Sequence, residues 1–141
     1  MKYLIDTCVI SELMKTKPNP KVINWINKYP QEDLYLSVII ITIMEIKKGI
    51  CKLVDGTKKE QLNYWLKNNI LTKFENNLLK IDSKIALKWG EIQASTELSG
   101  YKQPILDSLI ATSALEFDLI VATRNTKDFI HSGCKIFNPW E

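Results

Sequence analysis

The stretch YLIDTCVISEL, residues 3–13, places an acid directly after a short apolar run. Tyr3, Leu4 and Ile5 have the composition of a buried strand, and Asp6 follows them without an intervening turn. The pattern then becomes polar before apolar residues return. The stretch therefore predicts a strand that delivers a carboxylate to its own end, which raises the question of what that negative charge serves.

Length and composition limit the classes of protein that the chain can form. Its 141 residues, 45% of them hydrophobic, are enough for one domain with a core, spanning residues 1–141. No run approaches the ~20 apolar residues of a membrane span, and the first residues lack the apolar segment of a signal peptide. We therefore expect a cytoplasmic protein without a membrane partner.

Cysteine and charge usage exclude further classes of site. Cys8, Cys51 and Cys134 are odd in number and far apart, so neither a disulfide framework nor a zinc site is expected. The net charge of +3 is too small to imply nucleic acid by itself. Arg124 is the only arginine, and its planar fork suits phosphate groups better than the point charge of a lysine.

Short apolar runs alternate with longer segments of helical period. The apolar runs lie at 2–6, 34–38, 78–81, 119–123 and 135–137. The helical segments lie at 20–28, 58–69, 84–98 and about 104–116. This alternation predicts an α/β fold with a mainly parallel sheet of about five strands and helices on both faces.

Cap residues mark the starts of several predicted helices. Asn19-Pro20 and Asp82-Ser83 each have the form of a helix N-terminus. Two capping boxes are also predicted, one formed by Thr57 with Glu60 and one by Thr42 with Glu45.

Polar residues follow the strands or open the next helix at four places. They are Asp6 after the first strand, Glu45 in the first turn of the helix after LYLSV, Asp107 near the start of the helix before the fourth strand, and Asn125 with Asp128 after LIVAT. Ligands of open parallel sheets bind beyond the carboxyl ends of the strands. We therefore expect these distant side chains to share one cleft.

Most of these residues also have an ordinary structural interpretation. Asp6 can cap the turn after its strand, and Glu45 belongs to a capping box. Asn125 and Asp128 are common loop formers. Asp107 is harder to explain in this way, because acids on a buried helix face are almost always paired or bound to metal. Its neighbours at helical spacing are Ile110, Ala111 and Ala114, whereas Ser108, Thr112 and Glu116 are expected on the solvated side.

A cluster of carboxylates needs a compensating charge. Two carboxylates ~4 Å apart repel by roughly 4 kcal/mol at an effective dielectric constant of 20. Mg²⁺ or Mn²⁺ accepts carboxylate and amide oxygens and can bridge to phosphate. His131, the only histidine, is expected on the surface and not as a ligand.

Four stretches of the chain, in order, resemble the PIN-domain family, and in particular VapC-type toxins close to the FitB-like members. They are YLIDTCVISEL, LYLSVIIITIMEIKKGI, PILDSLIATSALEFDLIVATRNTKDF and the terminal IFNPW. The resemblance implies an α/β/α sandwich and a Mg²⁺-dependent endoribonuclease. It also implies a homodimer that a small antitoxin neutralises, with DNA contacted only through the antitoxin.

The resemblance also assigns the candidate residues. Asp6, Glu45 and Asp107 match the three acids of the family's site, and the fourth position is Asn125, with Asp128 as the second candidate. Thr123 matches a hydroxyl that often precedes the fourth position, and Thr7 is a further supporting residue.

The chain departs from the family pattern in three ways. Cys8 stands where Asn is common, so a polar contact that supports Asp6 is in doubt. The segment from Ser37 to Glu45 is longer than usual, which puts the position of Glu45 in doubt. Asn125 in place of an acid lowers the negative charge of the site.

The mechanism expected from these residues is metal-assisted hydrolysis of RNA. We expect Asp6 and Asp107, with Asn125 or Asp128, to hold one or two Mg²⁺ ions, and Glu45 to orient the attacking water or complete the metal shell. Flanking phosphates are expected to contact Arg124, Lys48 and Lys52.

Two other functions compete with the nuclease. The first is a non-catalytic PIN-like scaffold that binds an antitoxin in a DNA-bound repressor complex. The second, phosphoryl transfer through Asp6, needs a second acid two residues later, where the chain has Cys8. In either toxin–antitoxin role an antitoxin helix is expected to use some apolar residues of helices 20–28 and 58–69, namely Ile23, Trp25, Ile26, Tyr64 and Trp65.

Overall fold

Five short apolar segments form one sheet in the computed structural model, which describes residues 2–30 and 36–141. The strands are β1 (Tyr3–Ile5), β2 (Leu36–Ile39), β3 (Leu78–Leu79), β4 (Ile120–Ala122) and β5 (Lys135–Phe137). Each lies within or overlaps a predicted run. Residues 34 and 35 of the predicted second run lie outside the described residues.

The strands pair in the order β3-β2-β1-β4-β5, and every pair is parallel. Tyr3 in the central strand is in register with Leu36 on one side and Ile120 on the other. The chain therefore builds one half of the sheet outward from β1 and then returns to build the other half from β4. A ligand crevice is expected where the direction reverses, between the carboxyl ends of β1 and β4.

Helices connect the strands. They are α1 (Thr7–Leu13), α2 (Pro20–Ile26), α3 (Ile40–Cys51), α4 (Thr57–Trp65), α5 (Leu71–Lys73), α6 (Ser83–Leu98) and α7 (Ile105–Glu116). A π-helical turn, Leu66–Ile70, joins α4 to α5, and the turns Glu75–Asn77 and Thr126–Asp128 are 3₁₀. The sequence pattern did not predict α1.

The two predicted helix caps with Asn and Asp are confirmed, and the two capping boxes are wrong. Asn19 accepts a hydrogen bond from the Lys21 backbone N–H at 2.9 Å, and Asp82 accepts one from Ile85 at the same distance. Helix α4 begins after Gly56 without a side-chain cap. Helix α3 begins at Ile40, directly after β2, because the apolar residues around it are drawn into the core.

Side chains of successive strand residues point to opposite faces of the sheet and produce two cores. Tyr3 and Ile5 pack with α1, α2 and α3, whereas Leu4 packs with Ile110 and Ala114 of α7. The sheet is therefore covered on both sides. The predicted α/β/α sandwich is confirmed, with all five strands parallel.

The predicted solvent-facing side of α7 is wrong. Ser108 and Thr112 are buried, and the Trp89 indole N–H of α6 donates to the Ser108 hydroxyl at 2.7 Å. Helix α6 covers this side of α7. Hydroxyl groups can be buried there because their hydrogen bonds are satisfied. The Thr112 hydroxyl accordingly donates to the Ser108 carbonyl at 2.7 Å.

The apolar residues suggested for a partner groove divide between core and surface. Trp25 and Ile26 of α2 are buried in the core, whereas Tyr64 of α4 is 68% exposed. Ile23 and Trp65 are half-buried. Within the described residues, no helix has the length and apolar character needed to cross a membrane.

Candidate active site

A cleft of about 410 Å³ lies at the carboxyl ends of the strands, at the crossing from β1 to β4. Residues from five separate parts of the chain line it: Asp6, Thr7, Cys8, Ser11, Glu12, Lys15, Glu45, Asp107, Arg124, Asn125 and Trp140. The structure therefore brings together four of the five acids and amides that the sequence singled out. Asp128 is the exception.

Asp6 is held rigidly at the end of β1. Its side chain is 5% exposed. One carboxylate oxygen accepts the Thr7 backbone N–H at 2.8 Å, and the other accepts the Thr123 hydroxyl at 2.7 Å. Burial raises the pKa of Asp6 despite these bonds, and the Glu45 charge adds to the increase.

Cys8 supplies a contact to Asp6 that the sequence comparison left in doubt. Its thiol lies 3.6 Å from the second Asp6 oxygen and 3.5 Å from the Thr123 hydroxyl. The sulfur also accepts the Arg124 backbone N–H at 3.4 Å. Cys8 therefore links the β1 acid to the loop after β4.

Glu45 reaches the cleft from the second turn of α3, not from the first turn as predicted. Because α3 begins as early as Ile40, the longer segment after Ser37 includes the first turn of this helix. The Thr7 hydroxyl donates to a Glu45 carboxylate oxygen at 2.7 Å and lies 3.3 Å from the Thr42 hydroxyl. Thr7 thus orients Glu45 through its side chain and Asp6 through its backbone.

Asp107 faces the cleft from the first turn of α7. Its side chain is half-buried, and its pKa is raised to about 6. Burial is the largest cause, followed by the charges of Asp6, Asp128 and Glu45. Across residues 2–30 and 36–141, no lysine or arginine forms an ion pair with Asp6, Glu45 or Asp107.

The loop after β4 separates the two candidates for the fourth position. Asn125 lines the cleft, and its backbone N–H donates to the Thr123 hydroxyl at 3.0 Å. Asp128 lies in the following 3₁₀ turn and lines an adjoining pocket of about 210 Å³ with Arg124 and Asn125. Its charge nevertheless raises the pKa of Asp107.

The basic residues of the cleft differ from those that the sequence suggested. Arg124 lines it, but Lys48 and Lys52 do not. Lys15 does, together with Ser11 and Thr7. Thr7 and Ser11 are four residues apart on α1 and so share one face, a signal that required knowing that this segment is a helix.

The oxygen atoms that line the cleft are suitable ligands for a hard divalent cation. Carboxylate and amide oxygens predominate, and the described part of the chain has no cation paired with the central acids. No three His, Cys, Asp or Glu side chains among the described residues form a preformed metal cage.

Comparison with known proteins identifies the family. The PIN domain model matches residues 3–132. Toxin FitB of Neisseria gonorrhoeae is 36% identical over 97% of both chains, and VapC ribonuclease Y4jK of Sinorhizobium fredii is 33% identical over 98% of this chain and 97% of its own. The solved structure of FitAB bound to an IR36 DNA fragment superposes with a TM-score of 0.89 at 32% identity, covering 99% of this chain and 96% of that one. The chain therefore belongs to the PIN domain family.

Proposed function

We propose that this chain is a metal-dependent endoribonuclease and the toxin of a toxin–antitoxin pair, acting in the cytoplasm through one domain. The main observation is that Asp6, Glu45 and Asp107 line one cleft without a cationic partner among the described residues. The similarity to a relative named as a VapC ribonuclease supports RNA as the substrate.

Each side chain of the cleft has a role in this hydrolysis. Asp6 and Asp107, with Asn125, hold the cation, which we propose to be Mg²⁺ with Mn²⁺ as a substitute. Asp128 is a further ligand candidate from the adjoining pocket. When bound, the cation lowers the pKa of an attacking water and polarises the phosphate.

The remaining residues of the cleft position substrate and water. Glu45 orients the water and is itself held by the Thr7 hydroxyl. Thr123 fixes the carboxylate plane of Asp6. Arg124 binds an RNA phosphate next to the scissile bond. Lys48 and Lys52 are exposed and would contact only the more distant RNA backbone.

The proposed partners follow from the family. The relative FitB is named as a toxin, and FitAB has been solved with DNA. We propose a homodimer that binds an antitoxin, through which it contacts DNA indirectly. Of the apolar residues suggested for the antitoxin helix, Tyr64 is the one that remains largely exposed.

A cleavage assay on purified protein tests the nuclease proposal. Labelled RNA should be cut when Mg²⁺ or Mn²⁺ is added and left intact in EDTA. Asp6→Asn should abolish cleavage, whereas Asp55→Asn, the same change at an exposed surface ion pair, should cleave as the wild type does. Absence of metal-dependent cleavage, or equal activity of Asp6→Asn and wild type, would contradict the proposal.

The non-catalytic scaffold is the second candidate, and the solved FitAB–DNA complex is the observation that favours it. In that case Asp6→Asn would leave the affinity of the antitoxin complex for operator DNA unchanged. Neither the wild type nor any variant would cleave RNA. The three acids of the cleft have no ion-pair partner in the described part of the chain, which favours the nuclease because a scaffold has no use for their mutual repulsion.

A further inference from the structure

The last residues of the chain turn back over the cleft. Strand β5 lies beside β4 at the sheet edge, and the Thr123 backbone N–H donates to the Phe137 carbonyl at 2.9 Å. After β5, the Asn138 side chain accepts the Trp140 backbone N–H at 2.9 Å, which closes a turn. Trp140 is thereby placed among the residues that line the cleft.

Trp140 is anchored to a buried acid that takes no part in the acidic cluster. Its indole N–H donates to Glu12 of α1 at 3.2 Å, and Glu12 is 4% exposed. The same Glu12 oxygen accepts Lys15 at 3.1 Å, and the other accepts the Asn19 backbone N–H at 3.2 Å. Both Glu12 oxygens are thus occupied by donors of the chain, which makes Glu12 an anchor and not a metal ligand.

Arg124 lies on the ring that this anchor holds. Its guanidinium carbon is 5.5 Å from the Trp140 ring centroid, within the range of a cation–π contact. The Arg124 backbone is fixed from the other side by the Cys8 sulfur. In the described part of the chain the guanidinium forms no salt bridge, so its hydrogen-bond donors remain available to a phosphate.

We propose that Trp140, anchored by Glu12, is a positioning residue that holds the Arg124 guanidinium toward an RNA phosphate in the cleft. The phosphate part rests on the proposed nuclease function, whereas the contact between Trp140 and Arg124 does not. Without the ring, the long Arg124 side chain would sample many rotamers and lose conformational entropy on binding substrate.

A spectroscopic test addresses the contact independently of cleavage. Because Arg124 is the only arginine, its side-chain Nε–Hε group gives one cross-peak in the spectrum of ¹⁵N-labelled protein. In the wild type this peak should be shifted upfield by the indole ring current, and the shift should disappear in Trp140→Leu. A peak at the same position in both proteins would overturn the proposed contact, whether or not the protein cleaves RNA.

Kinetic measurements address the positioning role. Trp140→Leu should raise KM for RNA about fivefold and change kcat less than about twofold. The same substitution made in Arg124→Ala should have no further effect on KM, because its target is absent. Trp140→Phe, which keeps an aromatic face but lacks the N–H that Glu12 accepts, should raise KM less than Trp140→Leu does.

A matched control separates positioning from general destabilisation. Trp65→Leu removes another half-buried indole, from α4, that does not line the cleft, and it should leave KM unchanged. The proposal would be overturned if the increases of KM caused by Trp140→Leu and Arg124→Ala multiplied in the double variant. An equal increase of KM in Trp65→Leu would also overturn it. Should Trp140→Leu fail to fold, Glu12→Ala, which removes the acceptor of the indole N–H, takes its place and must raise KM only while Arg124 is present. A wild type that cuts no RNA contradicts the nuclease function and leaves the spectroscopic test intact.

Discussion

The two ends of α7 carry acids in opposite electrostatic environments. Glu116, in the last turn, accepts Lys84 at 2.8 Å and Lys88 at 3.0 Å, and these lysines lower its pKa. Asp107, in the first turn, has no ion-pair partner among the described residues, and burial with neighbouring carboxylates raises its pKa to about 6. One helix thus carries an acid whose charge is compensated by the chain and one whose charge is not.

This difference shows what separates a structural acid from a candidate catalytic one. Both residues lie on α7 and both are partly buried, so neither their shared helix nor their exposure distinguishes them. The partners supplied by other elements do, since α6 provides two lysines for Glu116. For Asp107 the neighbouring charges that raise its pKa are the carboxylates of Asp6, Asp128 and Glu45, and no ion-pair partner is found within residues 2–30 and 36–141.

The largest expected effect is on catalysis at the two ends of α7. Asp107→Asn should reduce the rate of RNA cleavage by about 100-fold or more, since even contacts outside a metal's ligands contribute 10–100-fold. Glu116→Gln should cleave within about twofold of wild type, because its ion pairs lie outside the cleft. Initial rates at saturating Mg²⁺ measure both. An equal loss of cleavage rate in the two variants would mean that cleavage depends on the integrity of α7 and not on the Asp107 carboxylate.

A smaller effect is expected from the hydroxyl that orients Glu45. Thr7→Val removes the donor at 2.7 Å and should lower kcat about tenfold, as is typical when a group that orients a catalytic side chain is lost. Thr96→Val, which removes a hydroxyl bonded to a carbonyl of its own helix α6, is the matched control and should retain full activity. A Thr7→Val enzyme with wild-type kcat would show that Glu45 needs no such support.

The smallest effect is on stability, where the two ends of α7 should respond to pH with opposite signs. The folded pKa of Asp107 is raised from 3.8 to about 6, so its contribution to stability is complete below pH 3.8 and is lost as pH rises through about 6. The folded pKa of Glu116 is lowered from 4.5, so its contribution is present above pH 4.5 and is lost as pH falls below it.

Thermal unfolding in EDTA between about pH 3 and pH 7 measures this contrast. Relative to wild type, Asp107→Asn should gain Tm as the pH rises, whereas Glu116→Gln should have the lower Tm at pH 7 and approach wild type as the medium is acidified. Parallel pH profiles for the two variants would contradict the difference in environment.

The sequence predicted much of the sheet and the convergence of four candidate side chains on one cleft for the same physical reason. The carboxyl ends of parallel strands lie at one edge of the sheet. An acid directly after a strand, such as Asp6, is therefore expected to lie near the residues that follow the neighbouring strands. The start of α3 was not predictable from capping signatures, because burial of Ile39 and Ile41 determined it. Local pattern also misplaced Ser108, whose burial depends on a hydrogen bond from Trp89 of another helix.

Contacts between distant segments explain the parts of the site that the sequence did not predict. The terminal IFNPW was noticed as a motif, but no pattern joins Trp140 to Glu12, 128 residues earlier in the chain. The sequence does not indicate Lys15, because this residue lies beyond the end of α1 and does not continue a helical pattern. Only the tertiary fold places such residues around one cleft.

Location of the divalent ion tests the central claim most directly. Crystals grown with Mn²⁺ should show an anomalous peak in the cleft between Asp6 and Asp107, with carboxylate oxygens at ~2.1 Å as expected for a hard octahedral ion. The peak should be missing in Asp107→Asn crystals and unchanged in those of Glu116→Gln. A wild-type cleft without any peak at millimolar Mn²⁺, or a peak only at surface acids such as Asp55, would contradict the claim that these carboxylates gather to hold a metal.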